Sequence, residues 1–255
     1  MTSPPDPGGL PRSKPLHRDS FMKRTRLIAA LDTQSLDQAR DWASVLDGHV
    51  DAIKLGMEFT YAQGFSALRE VAGRNPLFLD LKLHDIPNTV AKGLSSLAPI
   101  GASLLTIHAS GGTAMIAAAR QAIDASYPPL HRPVLLAVTV LTSIDEVALR
   151  EIGVPATPRE QVVRLGRLAM TAGADGLVCS AEEIAPLRDA LGDAPVLVVP
   201  GIRPAGAEAN DQKRIMTPRQ AAQAGADWIV VGRPITQAAD PVAAAAAIQA
   251  ELATA

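Results

Sequence analysis

Short apolar runs rich in branched residues recur along the chain from residue 26 onward, separated by longer stretches in which apolar positions return every three or four residues. The strand-like runs are RLIAALD (26–32), VDAIKLG (50–56), PLFLDLK (76–82) and ASLLTIH (102–108), followed by PVLLAVT (133–139), DGLVCS (175–180), PVLVVP (195–200) and DWIVVG (227–232). Segments such as SLDQARDWASVL (35–46) and TPRQAAQAG (217–225) carry helical periodicity, with Ser or Thr placed to cap the start. Near-continuous apolar strands alternating with amphipathic helices predict a parallel sheet covered on its outer side. Eight strand–helix units in about 230 residues fit an α/β fold of the (β/α)8 TIM-barrel type, for which about 250 residues is typical. An open doubly wound sheet competes, but it would carry a glycine-rich turn after its first strand, and here that strand ends LDTQS. The reading is one barrel domain over residues 23–255, preceded at 1–22 by a disordered leader rich in Pro, Gly and Ser.

Composition narrows the function. Hydrophobic residues make up 47% of the 255, enough for a full core. Lys plus Arg (24) nearly balances Asp plus Glu (26), which points away from nucleic-acid and membrane surfaces and leaves a small anion as a candidate ligand. No stretch approaches the roughly 18–20 apolar residues of a bilayer span, and the leader lacks the apolar centre of a secretory signal. The single cysteine, Cys179, lies in the apolar run GLVCS, reads as a buried inert thiol, and suits a cytoplasmic setting.

Barrels carry their chemistry at the C-terminal strand ends. In order these are Asp32, Lys54, Asp80 with Lys82, His108, Thr139, Ser180, Pro200-Gly201 and Gly232-Arg233. In FLDLKLHDIPNTV (78–90), strand alternation puts Asp80 and Lys82 on one face and Leu81 on the other. Lys54 can reach Asp80 from the neighbouring strand, so Lys54, Asp80, Lys82 and Asp85 are expected to form an alternating charge array. Each contact at about 4 Å contributes roughly 4 kcal/mol before desolvation, at an effective dielectric of about 20. Opposite charge on both sides keeps Lys82 an ammonium, a proton donor rather than an imine-forming amine. A second cluster follows the last two strands. PGIRP (200–204), the long polar loop around Gln212, and VVGRP (230–234) form the kind of paired loop that grips phosphate. Gly232 admits the anion, Arg233 supplies charge, and the loop would close as a lid. His84 and His108 are read as supporting or structural.

The string Asp80-x-Lys82-x-x-Asp85-Ile-x-Asn88-Thr89, with VTVLTS (138–143), PGIRP, NDQKRIMTP (210–218) and VVGRP in the same order, resembles the orotidine 5′-phosphate decarboxylase family from about residue 26 to the C-terminus. The D-x-K-x-x-D core alone is shared with metal-dependent sugar-phosphate enzymes; the Ile-x-Asn-Thr extension and the LTS segment are specific. The resemblance implies cofactor-free and metal-free decarboxylation of orotidine 5′-phosphate to UMP, the last step of de novo pyrimidine nucleotide biosynthesis. It implies that Lys82 protonates C6, that Asp80 lies against the substrate carboxylate, and that Lys54 and Asp32 bind ribose hydroxyls. Thr142 would meet the base edge, and Arg203, Gln212, Gly232 and Arg233 the 5′-phosphate. It further implies a homodimer with shared active sites, in which Asp85 and Thr89 reach the neighbour's substrate. Two rivals remain from the residues themselves: a Mg2+-dependent sugar-phosphate enzyme, which needs more carboxylates at the strand ends, and a nucleotide-binding barrel without catalysis.

Overall fold

The computed structural model describes residues 24–204 and 216–255. The leader (1–22) and Gln212 lie outside the described residues. Eight parallel strands close in sequence order: β1 (Arg26–Ala30), β2 (Ala52–Gly56), β3 (Leu77–Leu83), β4 (Leu104–His108), β5 (Val134–Val138), β6 (Gly176–Val178), β7 (Val196–Pro200) and β8 (Trp228–Val231). Every apolar run marked in the sequence holds one strand of this TIM barrel. Around them run α1 (Leu36–Val45), α2 (Met57–Ala72), α3 (Pro87–Leu97), α4 (Gly112–Ser126), α5 (Glu146–Glu151), α6 (Pro158–Thr171), α7 (Ile184–Leu191), α8 (Pro218–Gln223), α9 (Arg233–Thr236) and α10 (Pro241–Ala253).

Local chemistry explains where the helices begin. Ser35 caps α1 by accepting from the Gln38 N–H. Thr157 with Glu160 and Thr217 with Gln220 form reciprocal capping boxes on α6 and α8, each followed by proline at the first helical position, where no N–H is needed. Among the described residues no helix is long and apolar enough to cross a membrane.

The core has two layers. One lies between strands and helices; the other fills the barrel with Ile28, Ala30, Ala52, Phe78, Leu104, Val134, Leu136, Val198, Trp228 and Val230. Trp228 is fully buried near the N-terminal rim, with the Arg26 guanidinium 5.2 Å above its ring.

That rim is closed by a recurring carboxylate clamp. Asp51, Asp175 and Asp227 each stand just before an even-numbered strand. Each donates its N–H to the neighbouring odd strand, to Leu27 O, Leu135 O and Leu197 O. Each also accepts that same residue's N–H on its carboxylate, at 2.9, 2.9 and 2.7 Å. Arg24, Arg120 and Arg188 complete the three clamps as ion-pair partners. Before β4 the position is Ser103, which keeps only the backbone half, donating to Leu77 O. The clamps fix strand register at the end of the barrel opposite the polar mouth.

Candidate active site

Side chains alternate along each strand, so the residues two places beyond the interior Ala52, Phe78 and Leu104 also face inward. They are Lys54, Asp80 and Thr106, and they replace the apolar filling with a polar layer at the C-terminal mouth. Lys54 Nζ donates to Asp32 Oδ1 at 2.9 Å and stands 4.0 Å from Asp80 Oδ2. Lys82 Nζ donates to the same Asp80 Oδ2 at 2.7 Å. The order is therefore Asp32–Lys54–Asp80–Lys82, with charges alternating along a single line. Asp32 is the solvent end, its side chain 54% exposed; Lys54 and Asp80 are 12% and 13% exposed. Gly56 leaves the room this needs, because a Cβ there would lie 3.2 Å from Lys54 Nζ.

Strand β3 is not regular where it carries the charges. Leu79 pairs with Leu105 and Leu83 with Ile107, so Asp80, Leu81 and Lys82 together oppose the single Thr106. Lys82 absorbs the excess. Its φ is 52°, and among the described residues no other non-glycine has a positive φ. The simple alternation expected for residues 80–82 is thus replaced by a bulge, although Asp80 and Lys82 still meet. Thr106 sits against the irregularity: its Oγ1 accepts the Lys82 N–H at 2.9 Å and donates to Asp80 Oδ1 at 2.9 Å.

The other expected residues divide. Asp85 does not join the array within one chain, contrary to the order read from sequence. It is exposed after β3, and its Oδ1 accepts the Ile86 N–H at 2.7 Å. Thr89, in the first turn of α3, and Thr142, beyond β5, are also exposed around the mouth. Gly232 lies between β8 and α9, where an added Cβ would be 3.8 Å from Asp32 Oδ2; this places the turn after β8 beside the charge line. Arg233 is exposed at the start of α9. Arg203 is buried instead, its backbone N–H on Met216 O at 3.1 Å and its Nη1 reaching Ile202 O at 3.4 Å.

Sequence reasoning missed Thr106 and Gly56. The signal for Thr106 was one polar residue at an inward position of ASLLTIH; nothing in a lone glycine marked Gly56. His108, at the end of β4, packs 5.4 Å from the His84 ring. Burial, then the charges of His84 and Lys82, push its imidazole below the ordinary value, outweighing the pull of Asp80. Cys179 is fully buried, and that burial drives its thiol well above the usual range, so it is inert.

The profile describing the orotidine 5′-phosphate decarboxylase / HUMPS family matches residues 25–248. This chain belongs to that family. It is 69% identical over 234 residues to the orotidine 5′-phosphate decarboxylase of Gluconobacter oxydans, covering 91% of this chain and 99% of the relative. The enzyme of the same name from Anaeromyxobacter dehalogenans is 51% identical over 229 residues, covering 89% and 98%. Among solved structures, the orotidine 5′-phosphate decarboxylase of Lactobacillus acidophilus superposes with a TM-score of 0.79 at 42% identity, covering 90% of this chain and 99% of that one. Within a decarboxylase of this family, the polar mouth is where substrate chemistry belongs. Its carboxylates interleave with lysines, and among the described residues no three His, Cys, Asp or Glu side chains gather as a metal site. That arrangement disfavours the metal-dependent sugar-phosphate alternative, which needs further carboxylates at the strand ends, where β2 offers Lys54.

Proposed function

We propose that this chain decarboxylates orotidine 5′-phosphate to UMP in the cytoplasm, using Lys82 as the proton donor. The observation that carries the reading is the 2.7 Å contact of Lys82 Nζ with Asp80 Oδ2, inside the mouth of a barrel of this family. Asp32 and Lys54 hold the ribose hydroxyls. Gly232 and Arg233, with Arg203 and Gln212 from the loop after β7, hold the 5′-phosphate, and Thr142 meets the base edge. The substrate carboxylate then lies against Asp80. As the C6–carboxyl bond breaks, its electron pair remains on C6 and CO2 departs. The Lys82 ammonium, fixed in place before that charge develops, stabilises it and forms the new C6–H bond. The neutral amine left behind regains its proton from solvent. Repulsion between Asp80 and the substrate carboxylate raises the ground state, and phosphate binding supplies the energy that holds the two together.

The working unit is a homodimer. Asp85 faces solvent and lies apart from the charge line, as fits a residue serving a neighbour's site. Large exposed apolar side chains lie on the adjacent segments after β2 and β3: Met57, Tyr61 and Phe65 on α2, and Ile86 beside Asp85.

The test is the loss of orotidine 5′-phosphate absorbance on adding purified protein, with and without EDTA, beside Lys82→Ala. Turnover that ignores EDTA and collapses in the variant is expected. No turnover by the intact chain would overturn the reading. Mixing Lys82→Ala with Asp85→Ala chains should restore part of the activity; no recovery after confirmed subunit exchange would sink the shared site.

A further inference from the structure

A bulge leaves a backbone N–H without its ladder partner, and Lys82 is where that happens in β3. Its N–H points to a side chain instead, the Oγ1 of Thr106. A hydroxyl has one proton to give and two lone pairs with which to accept. Because Asp80 is a carboxylate and only accepts, the Thr106 proton goes to Asp80 Oδ1, and a lone pair is left for the Lys82 N–H. The direction of both bonds is therefore fixed by chemistry. Asp80 Oδ2 takes the Lys82 ammonium. The result is a closed ring: Thr106 hydroxyl to Asp80, Asp80 to Lys82 Nζ, and Lys82 backbone to Thr106. Both ends of a long flexible side chain are tied through one residue that is 1% exposed.

Thr106 suits this task. It lies in the middle of β4, which pairs with β5 without a break from Leu104↔Val134 to His108↔Val138, so its backbone is a rigid platform. Its branched Cβ restricts χ1, which helps to hold the hydroxyl in one direction.

We propose that Thr106 is a positioning residue for the decarboxylation: it holds Lys82 in the left-handed conformation and orients Asp80, so that the ammonium is aimed before substrate arrives. This rests on the reading of Lys82 as proton donor. Thr106 acts through Lys82 and Asp80 and makes no contact with the reacting atoms.

Thr106→Val keeps the shape and deletes the hydroxyl; Thr106→Ser keeps the hydroxyl. Both are assayed with orotidine 5′-phosphate for kcat and KM, with UMP for product affinity, and by thermal unfolding to count folded sites. Thr106→Val is expected to lose about 10- to 100-fold in kcat per folded site, the size expected for a misaimed catalytic group, with KM and UMP affinity held. Thr106→Ser should recover most of that loss. Wild-type kcat in Thr106→Val, or a loss fully accounted for by unfolded protein, would overturn the proposal. A crystal structure of Thr106→Val separates this inference from the reaction assignment. Lys82 leaving the left-handed region supports the positioning role even if the intact protein fails to turn over this substrate. Lys82 keeping that φ and its contact with Asp80 overturns it.

Discussion

Lys82 carries the proposed chemistry at a backbone conformation that favours glycine, and this makes a test of stored strain available. Compare Lys82→Ala with Lys82→Gly. Both delete the ammonium, and both leave Asp80 with the Thr106 hydroxyl at 2.9 Å and Lys54 at 4.0 Å, so the electrostatic loss is common to the pair. Both keep the backbone N–H on Thr106. What differs is a Cβ at φ 52°. For a residue with a side chain, that region costs about 1–2 kcal/mol, from the approach of Cβ to the following carbonyl. Glycine escapes this cost but gives up about 0.4–1 kcal/mol through the greater freedom of its unfolded chain. The difference leaves Lys82→Gly more stable than Lys82→Ala by about 0.5–1 kcal/mol, a rise in Tm of roughly 1–4 °C for a domain of this size. Urea unfolding followed by circular dichroism, with equal slopes for the two variants, measures it directly. Lys82→Ala proving as stable as Lys82→Gly, or more so, would refute the claim that the strand is strained at this residue. Neither variant should decarboxylate.

Gly56→Ala puts a methyl group 3.2 Å from Lys54 Nζ; the flexible ammonium should swing away from Asp32 and Asp80, and steady-state kinetics should show a raised KM and a lowered kcat in a protein that still folds. His108 titrates below the ordinary 6.5 in the folded chain, so the unfolded chain binds more protons as the pH falls. Stability should therefore drop as pH decreases from about 6.5, levelling off below the folded value, and urea midpoints measured against pH should show a shallower slope in His108→Gln. At the opposite rim, Asp227→Ala removes the acceptor of the Leu197 N–H and the partner of Arg188, and should cost about 1–3 kcal/mol in denaturant unfolding while kcat per folded molecule stays unchanged.

The strands were legible because burial on both faces forces apolar runs, and parallel pairing forces helices between them. Boundaries moved by a residue or two where the ends serve other tasks. Asp51, Asp175 and Asp227, marked as strand residues, instead cap the strands from outside with their carboxylates. The charge line was legible in its members and only partly in its order. Lys54, Asp80 and Lys82 stood out because lysine and aspartate at the end of an apolar strand must be compensated. Asp85 was grouped with them by sequence proximity, whereas the turn after β3 carries it to the surface and Asp32 takes the end place. The bulge could not be read at all. A register shift is a relation between two strands, and the alternation of β3 alone gives no sign that three of its residues share one partner.

That irregularity is confined to a single edge. Strands β2 and β3 stay in register up to Gly56↔Asp80, and β4 with β5 throughout, so the mismatch lies only between β3 and β4. Such confinement has a mechanical consequence. A bulge flanked by regular ladders cannot relax by sliding either neighbour without breaking their hydrogen bonds, so the distortion stays on Lys82 and the bond to Thr106 bears it. In a loop the same left-handed lysine would settle into a more favourable conformation, and its ammonium would wander with it. Placing the proposed donor on a distorted strand would exchange a little stability for an aimed ammonium, and the lower rim, with its three carboxylate clamps, supports a barrel that tolerates the distortion.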